Sequence, residues 1–306
     1  MLVFGHRGAC GYRPENTLES FELAFQQGAD AIECDIVPTA DGQLVLRHEN
    51  DLADTTEVAD HVEFRSKFRA GITHGARGES WFAEDFTLAE LKRLRAKERL
   101  ADIRPGSAKF DGQFEIPTVD ELLAAPFAEG KTLILEVKHG TYFKSIGHDI
   151  AVILAGKIRE SGVLSRNVKL IFESFNLAVL MDLKRECAGM GEFVFLIDRD
   201  HLNSRHHAEV EKRLDDLALN VDGISVEHDL IFRQVDRAVS SAQFGEPNSL
   251  VRRVHKRGLK IFTWTARVED AEFSVEEYYH HWAESGVDGV FADQPDLLRN
   301  VVDALA

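Results

Sequence analysis

Four short stretches carry the residues best suited to chemistry: HR at 6–7, ECD at 33–35, RHE at 47–49 and LEVK at 135–138. In an extended strand side chains alternate between faces, so Glu33 and Asp35 share one face of AIECDIV while Ile32, Cys34 and Ile36 share the other. TLILEVK repeats the pattern, with Glu136 and Lys138 together near its end. Three carboxylates converging from neighbouring strands repel one another unless positive charge lies between them. An all-oxygen set of this kind suits one hard divalent cation, Mg²⁺ or Ca²⁺, with positions left for water and substrate. An E-x-D at a strand end is by itself usually a solvated pair; Glu136 at a matching strand end is what favours the metal reading. His6 and His48 each end an apolar run, which places both beside that acidic set. Two histidines flanking a bound phosphate are the parts needed to remove one proton and return another. Arg7 can meet phosphate oxygens as a fork, and Lys138 adds a point charge.

These residues need a frame that brings strand ends together. Short apolar runs alternate with amphipathic segments along the whole chain: 2–6, 31–37, 43–48, 132–138, 168–172, 192–197, 222–228, 259–265 and 288–293. Such alternation predicts a parallel sheet with helices outside it. Helix starts are marked where a capping residue stands three before a glutamate, in NTLE (16–19), TLAE (87–90), TVDE (118–121) and SVEE (274–277). The first helix then sets Leu18, Phe21 and Phe25 on one face and ends near Gly28. Nine strands are one too many for a (β/α)₈ barrel, and the run at 43–48 is the odd one. Only PTADG separates it from the strand before, too short for a parallel crossover but suited to an antiparallel return. The reading is an α/β fold: one TIM-barrel domain over 1–306, with an irregular, polar insertion subdomain at 41–117 after the second barrel strand. Barrel active sites lie at the carboxyl ends of the strands, where the candidate residues fall. HRGACGYRPENT at 6–17 is then a strand-to-loop junction shaped to hold a phosphate.

Composition removes several function classes. The chain carries 36 basic against 52 acidic residues, a formal net charge of −16, which disfavours nucleic acid and anionic membranes as partners. A negatively charged substrate must therefore find local positive charge within its site. No run of 18 or more apolar residues is present, so stable membrane insertion is not expected. Cys10, Cys34 and Cys187 are odd in number and widely spaced, as reduced thiols are. No charged and apolar leader opens the sequence, which points to the cytoplasm, or to the periplasm or exterior if a leader was removed. Of thirteen histidines, all but His6 and His48 read as structural or solvent-facing, among them His206, His207, His280 and His281.

With those residues in view, the chain resembles the glycerophosphodiester phosphodiesterase family, in its larger, insertion-bearing form. The resemblance runs from HRGACGYRPENTLESFELAFQQGADAIECDIVPTADGQLVLRH through IPTVDELL, LEVK, ESF and FTWT to GVDGVFADQPD. It implies a TIM barrel with an insertion after the second strand, and hydrolysis of a phosphodiester such as glycerophosphocholine to glycerol 3-phosphate and an alcohol. It also implies His6 and His48 as the acid/base pair and Glu33, Asp35 and Glu136 as ligands of a divalent metal. Arg7 and Lys138 would contact phosphate, Trp264 would pack on the glycerol side, and Phe175 would line the same cleft. The expected course runs through a cyclic phosphate. One departure stands out: the second histidine is usually followed by aspartate, whereas this chain has Glu49. Three other readings compete. One is a lysophospholipid or sphingolipid phosphodiesterase, which would want an apolar rim; Phe64, Phe68, Trp81, Phe82 and Phe86 instead read as the insertion's own core. The second is a catalytically inactive phosphodiester-binding protein, against which the intact histidines and carboxylates argue. The third, an enolate-forming metal barrel, fits poorly because two ligands share one strand.

Overall fold

A computed structural model of the chain describes residues 1–73, 76–198, 207–232, 249–271 and 274–306. Its strands are β1 (Leu2–Gly5), β2 (Ala31–Pro38), β3 (Leu44–Leu46), β4 (Arg69–Thr73), β5 (Ala76–Ser80) and β6 (Thr132–Val137). They continue with β7 (Lys169–Ser174), β8 (Glu192–Ile197), β9 (Gly223–Glu227), β10 (Lys260–Ala266) and β11 (Gly289–Ala292). Eight of these, β1, β2 and β6 to β11, pair in parallel in chain order. The ring closes because β1 pairs with β2 on one side (Phe4↔Ala31) and with β11 on the other (Phe4↔Phe291). The result is the (β/α)₈ barrel that the alternation predicts.

β3 lies outside the ring, antiparallel to β2 with Ile36 opposite Leu46 and Pro38 opposite Leu44. The turn that reverses the chain is closed by Thr39 N–H to the Gln43 carbonyl (2.8 Å) and Gly42 N–H to the Thr39 carbonyl (3.0 Å). Gly42 sits at φ 74°, a conformation glycine adopts without steric cost.

Inside the barrel, Phe4, Ala31, Ile134, Ile171, Val194, Phe262 and Phe291 form one cluster. Phe4 meets Phe262 and Phe291 edge-on, with centroids 4.9 and 5.0 Å apart, so aromatic rings plug the middle of the barrel. The next inward positions toward the carboxyl end, two residues on in each strand, are His6, Glu33, Glu136, Glu173, Leu196, Trp264 and Asp293. One side-chain layer is thus apolar and the layer above it is chemical. The outward positions Ile32, Cys34, Ile36, Leu133, Leu135 and Val137 join the larger core beneath the helices.

The helix starts at Thr87 and Thr118 are complete capping boxes, and Ser274 accepts from Glu277 N–H (3.1 Å). The first helix, Leu18–Gln26, is capped one residue later than NTLE suggests: Thr17, not Asn16, accepts from Ser20 N–H. Asn16 stands outside the helix at φ 55° and is used elsewhere. Between β3 and β6 the chain is more regular than its composition suggests, holding the antiparallel β4–β5 hairpin. Its strands carry arginines and glycines instead of alternating apolar residues, so no period-2 signal marks them. Gly71 is required there, because a Cβ would come within 2.4 Å of the Phe82 ring. Phe64, Phe82 and Phe86 are buried, Trp81 is half-buried, and Phe68 is exposed against the Trp81 ring. His206 and the side chain of His207 lie outside what is described, while His280 and His281 are half-buried instead of solvent-facing.

Candidate active site

The loop after β1 is built by its own sequence. His6 N–H extends the ladder to the Ala292 carbonyl (3.0 Å), and the chain then turns sharply through Arg7 at φ 52° and Gly8 at φ 88°. A side chain at Gly8 would strike Ser20, since a Cβ would lie 2.4 Å from its hydroxyl oxygen. Ser20 Oγ and Asn16 N–H both bond the Arg7 carbonyl, at 3.1 Å each. Asn16 also grips Asp35 twice: its Nδ2 donates to Asp35 Oδ2 (2.9 Å) and its Oδ1 accepts from Asp35 N–H (3.1 Å). The stretch HRGACGYRPENT therefore ties the β1 loop to the acidic end of β2.

Glu33, Asp35 and Glu136 come together as expected, each offering an oxygen within 4.8 Å of the others. All three are buried. Among the described residues Glu33 Oε1 has no hydrogen-bond partner. Burial first, then the charges of Asp35 and Glu136, push the Glu33 carboxyl well above the ordinary range. Burial likewise carries Glu136 up to about 7 against the pull of Lys138, whose Nζ lies 2.7 Å from Glu136 Oε1. Burial also works on Asp35, but His48, Lys138, Arg7 and Asn16 outweigh it and keep that carboxyl low. Three buried carboxylates, two of them (Glu33 Oε1 and Asp35 Oδ1) with an oxygen that no hydrogen bond satisfies among the described residues, form a hard-oxygen set short of positive charge, which fits a divalent cation.

His6, Arg7, Glu33, His48, Glu136, Lys138, Phe175 and Trp264 all line one cleft of about 480 Å³, while Asp35 lies behind it. Phe175 and Trp264 meet edge to face, with centroids 5.6 Å apart, as an aromatic wall. Arg7 and Lys138 are not idle cations: Arg7 Nη1 meets both Glu15 oxygens at 3.2 Å, and Lys138 Nζ holds Glu136.

Each histidine has a carboxylate behind it. His6 Nδ1 lies 2.7 Å from Asp293 Oδ1, and His48 Nδ1 bonds Glu49 Oε1. A carboxylate on Nδ1 fixes the ring and its tautomer, leaving Nε2 as the nitrogen that can exchange a proton. Burial, and then the Arg7 charge, lower the pKa of both rings. The carboxylates are in turn held by arginines from the segment between β3 and β6. Arg99 Nη2 bonds Glu49 Oε2 (2.7 Å) and Glu15 Oε1 (2.6 Å), while Arg104 Nη2 bonds Asp293 Oδ2 (2.6 Å).

Several of these residues lay outside the sequence reading. Glu173, buried at 1% exposure with Oε1 unpartnered among the described residues, joins Glu33 and Glu136 on the cleft; burial, then Glu136 and Asp35, hold it well above the ordinary range. Alternation marks it, because Ile171 and Glu173 stand as Ile134 and Glu136 do. Asp293 had the same signal in VFAD, where it follows inward Phe291. Glu15, Arg99 and Arg104 carried no local signal, since their partners are distant in sequence.

The glycerophosphoryl diester phosphodiesterase family matches residues 6–297. A glycerophosphodiester phosphodiesterase of Arabidopsis thaliana is 30% identical over 324 aligned residues, covering 96% of this chain and 84% of its own. Another from Caldanaerobacter subterraneus is 29% identical over 302, covering 98% and 97%. Among solved structures, a Silicibacter pomeroyi chain superposes with a TM-score of 0.71 at 24% identity, covering 100% of this chain and 94% of that one. An Oleispira antarctica phosphodiesterase, solved in complex with the product sn-glycerol-3-phosphate, gives 0.67 at 22%, covering 99% and 97%. With a match that spans nearly its whole length, this chain belongs to the glycerophosphoryl diester phosphodiesterase family and is an enzyme of that kind.

Proposed function

We propose that the chain hydrolyses glycerophosphodiesters such as glycerophosphocholine to glycerol 3-phosphate and an alcohol, using His6 and His48 as the acid/base pair. The observation that carries this reading is the pair of carboxylate-backed histidines on one cleft with the acidic set and two cations. Glu33, Asp35 and Glu136 would hold a divalent metal, Mg²⁺ or Ca²⁺, which when bound supplies positive charge to the phosphate oxygens. Arg7 and Lys138 add fixed positive charge at the same place, where charge grows in the transition state. His48 takes the proton of the glycerol 2-hydroxyl as that oxygen forms a bond to phosphorus. His6 gives a proton to the departing alkoxide as its bond to phosphorus breaks, and a cyclic glycerophosphate results. The two rings then exchange roles: His6 takes a proton from water as it opens the cycle, and His48 protonates the released glycerol oxygen. Asp293 and Glu49 stabilise the imidazolium that each ring becomes in turn. Phe175 and Trp264 offer an apolar wall to the glycerol carbons.

The test is glycerol 3-phosphate release from glycerophosphocholine after chelation, with Mg²⁺, Ca²⁺ or Mn²⁺ added back. Release restored by one of these ions is expected. No product with any ion, together with turnover of a lysophospholipid, would replace the reading with the lipid-directed one.

A further inference from the structure

We infer that one short turn outside the barrel, Arg99–Arg104, sets the orientation of both histidines, so that the segment between β3 and β6 is a positioning element of the active site. This rests on the acid/base reading above and adds residues that no part of it uses. None of residues 49–131 that are described lines the cleft, yet two arginines of this segment stand directly behind it.

The two connections have the same form. On one side the order is His48 Nδ1, Glu49, Arg99, with Arg99 Nη1 and Nη2 on Glu49 Oε1 (3.1 Å) and Oε2 (2.7 Å). On the other it is His6 Nδ1, Asp293, Arg104, with one Asp293 oxygen on the ring and the other on Arg104 Nη2 at 2.6 Å and, at the longer distance of 3.1 Å, on Arg267 Nε; of these two arginines Arg104 is the buried partner. A carboxylate held at both oxygens cannot rotate, and a ring bonded to it inherits that plane. Arginine suits the task because its planar fork presents several N–H groups at fixed angles, which lysine does not.

Each arginine is itself anchored to the barrel loops. Arg99 also bonds Glu15, which pairs with Arg7. Arg104, 6% exposed, bonds both oxygens of Glu269 and the Cys10 carbonyl (3.3 Å). The spacing between them is set by a closed turn: Ile103 N–H and Arg104 N–H both bond the Leu100 carbonyl, at 3.0 and 2.8 Å. Glu98 accepts from Leu100 N–H (2.9 Å), and its own N–H bonds Asp111 Oδ1 (2.7 Å). The arrangement also gives a reason for Glu49: Arg99 reaches both of its oxygens while Oε1 stays on His48.

The two connections can be cut separately. Arg99→Met and Arg104→Met would be made in the full chain with ¹⁵N-labelled histidine, and ring tautomers read by long-range ¹⁵N–¹H correlation. Signals are assigned by their loss in His6→Ala and His48→Ala. Arg99→Met is expected to release the single tautomer of His48 and leave His6 unchanged, and Arg104→Met to do the converse. Each should lower kcat for glycerophosphocholine about 10–100-fold, the usual effect of losing an orienting partner, with KM changed by less than about threefold. If near-ultraviolet circular dichroism shows a methionine variant to be unfolded, the lysine variant at that position decides, with the same selective loss expected. Unchanged ring signals in both variants, or both rings altered together by either one, would overturn the inference. Should the wild type turn over no glycerophosphodiester, the functional reading falls and the ring signals still decide whether this turn sets the histidines.

Discussion

At the scale of single residues, the proposed acid/base chemistry separates the atoms that would exchange protons from the atoms that would aim them. His6 and His48 each spend Nδ1 on a carboxylate, which leaves Nε2 for the cleft. Replacing either ring by alanine removes a proposed proton carrier and is expected to reduce kcat on the order of 10²–10⁴-fold. A loss below about tenfold for both would remove the acid/base assignment. Asp293→Asn keeps the size of the side chain and loses its charge, so it should cost about 10–100-fold in kcat, measured on glycerophosphocholine with metal present. Glu136→Gln works on a different quantity. It takes one oxygen charge from the acidic set, so calorimetric titration should show weaker divalent-cation binding than in the wild type; unchanged affinity would mean that Glu136 is no ligand.

At the scale of elements, the barrel strands carry two layers with opposite demands. Phe4, Phe262 and Phe291 make an edge-to-face plug, and the carboxylates and histidines occupy the next inward positions above it. Phe262 is buried at 1% exposure and touches both other rings, so Phe262→Ala leaves a cavity that neighbouring strands cannot collapse into. Its expected cost is about 3–5 kcal/mol in urea unfolding. The helices are positioned by cheaper devices. The capping boxes at Thr87 and Thr118 each satisfy two backbone donors, and Asn16, displaced from the cap by Thr17, is free to hold Asp35.

At the scale of the whole molecule, the formal charge of −16 repels anions, and the local charges of the cleft must act against it. The same excess of acid shapes stability. Burial opposes ionisation of Glu15, yet Arg7 and Arg99 hold its pKa well below the ordinary carboxylate range; His6, Arg104 and Arg267 do the same for buried Asp293. A carboxyl depressed in the folded state contributes stability that is fully present above its unfolded pKa, roughly 4, and is lost as pH falls through the folded value. Urea midpoints should therefore drop steeply below about pH 4. A midpoint constant down to roughly pH 2.5 would show that these pairs contribute nothing net.

Much of the chemistry was legible because it is local. Strand alternation puts Glu33 with Asp35 and Glu136 with Lys138, and the short PTADG turn removes one strand from nine to leave a barrel. Those patterns are legible without coordinates because period and loop length are properties of neighbours along the chain. The same rule would have marked Glu173 and Asp293, whose alternation matches that of residues already singled out. Arg99 and Arg104 belong to another class. Their partners lie from 50 to 189 positions away, and only folding makes them neighbours. The β4–β5 hairpin is similar, since it rests on the close approach of Gly71 to Phe82 and not on a hydrophobic period. The sequence by itself determined which residues share a strand face, where the chain turns and what chemistry those residues suit. Only the tertiary structure decided what stands behind each histidine, because ion pairs between distant segments leave no periodic trace in the chain.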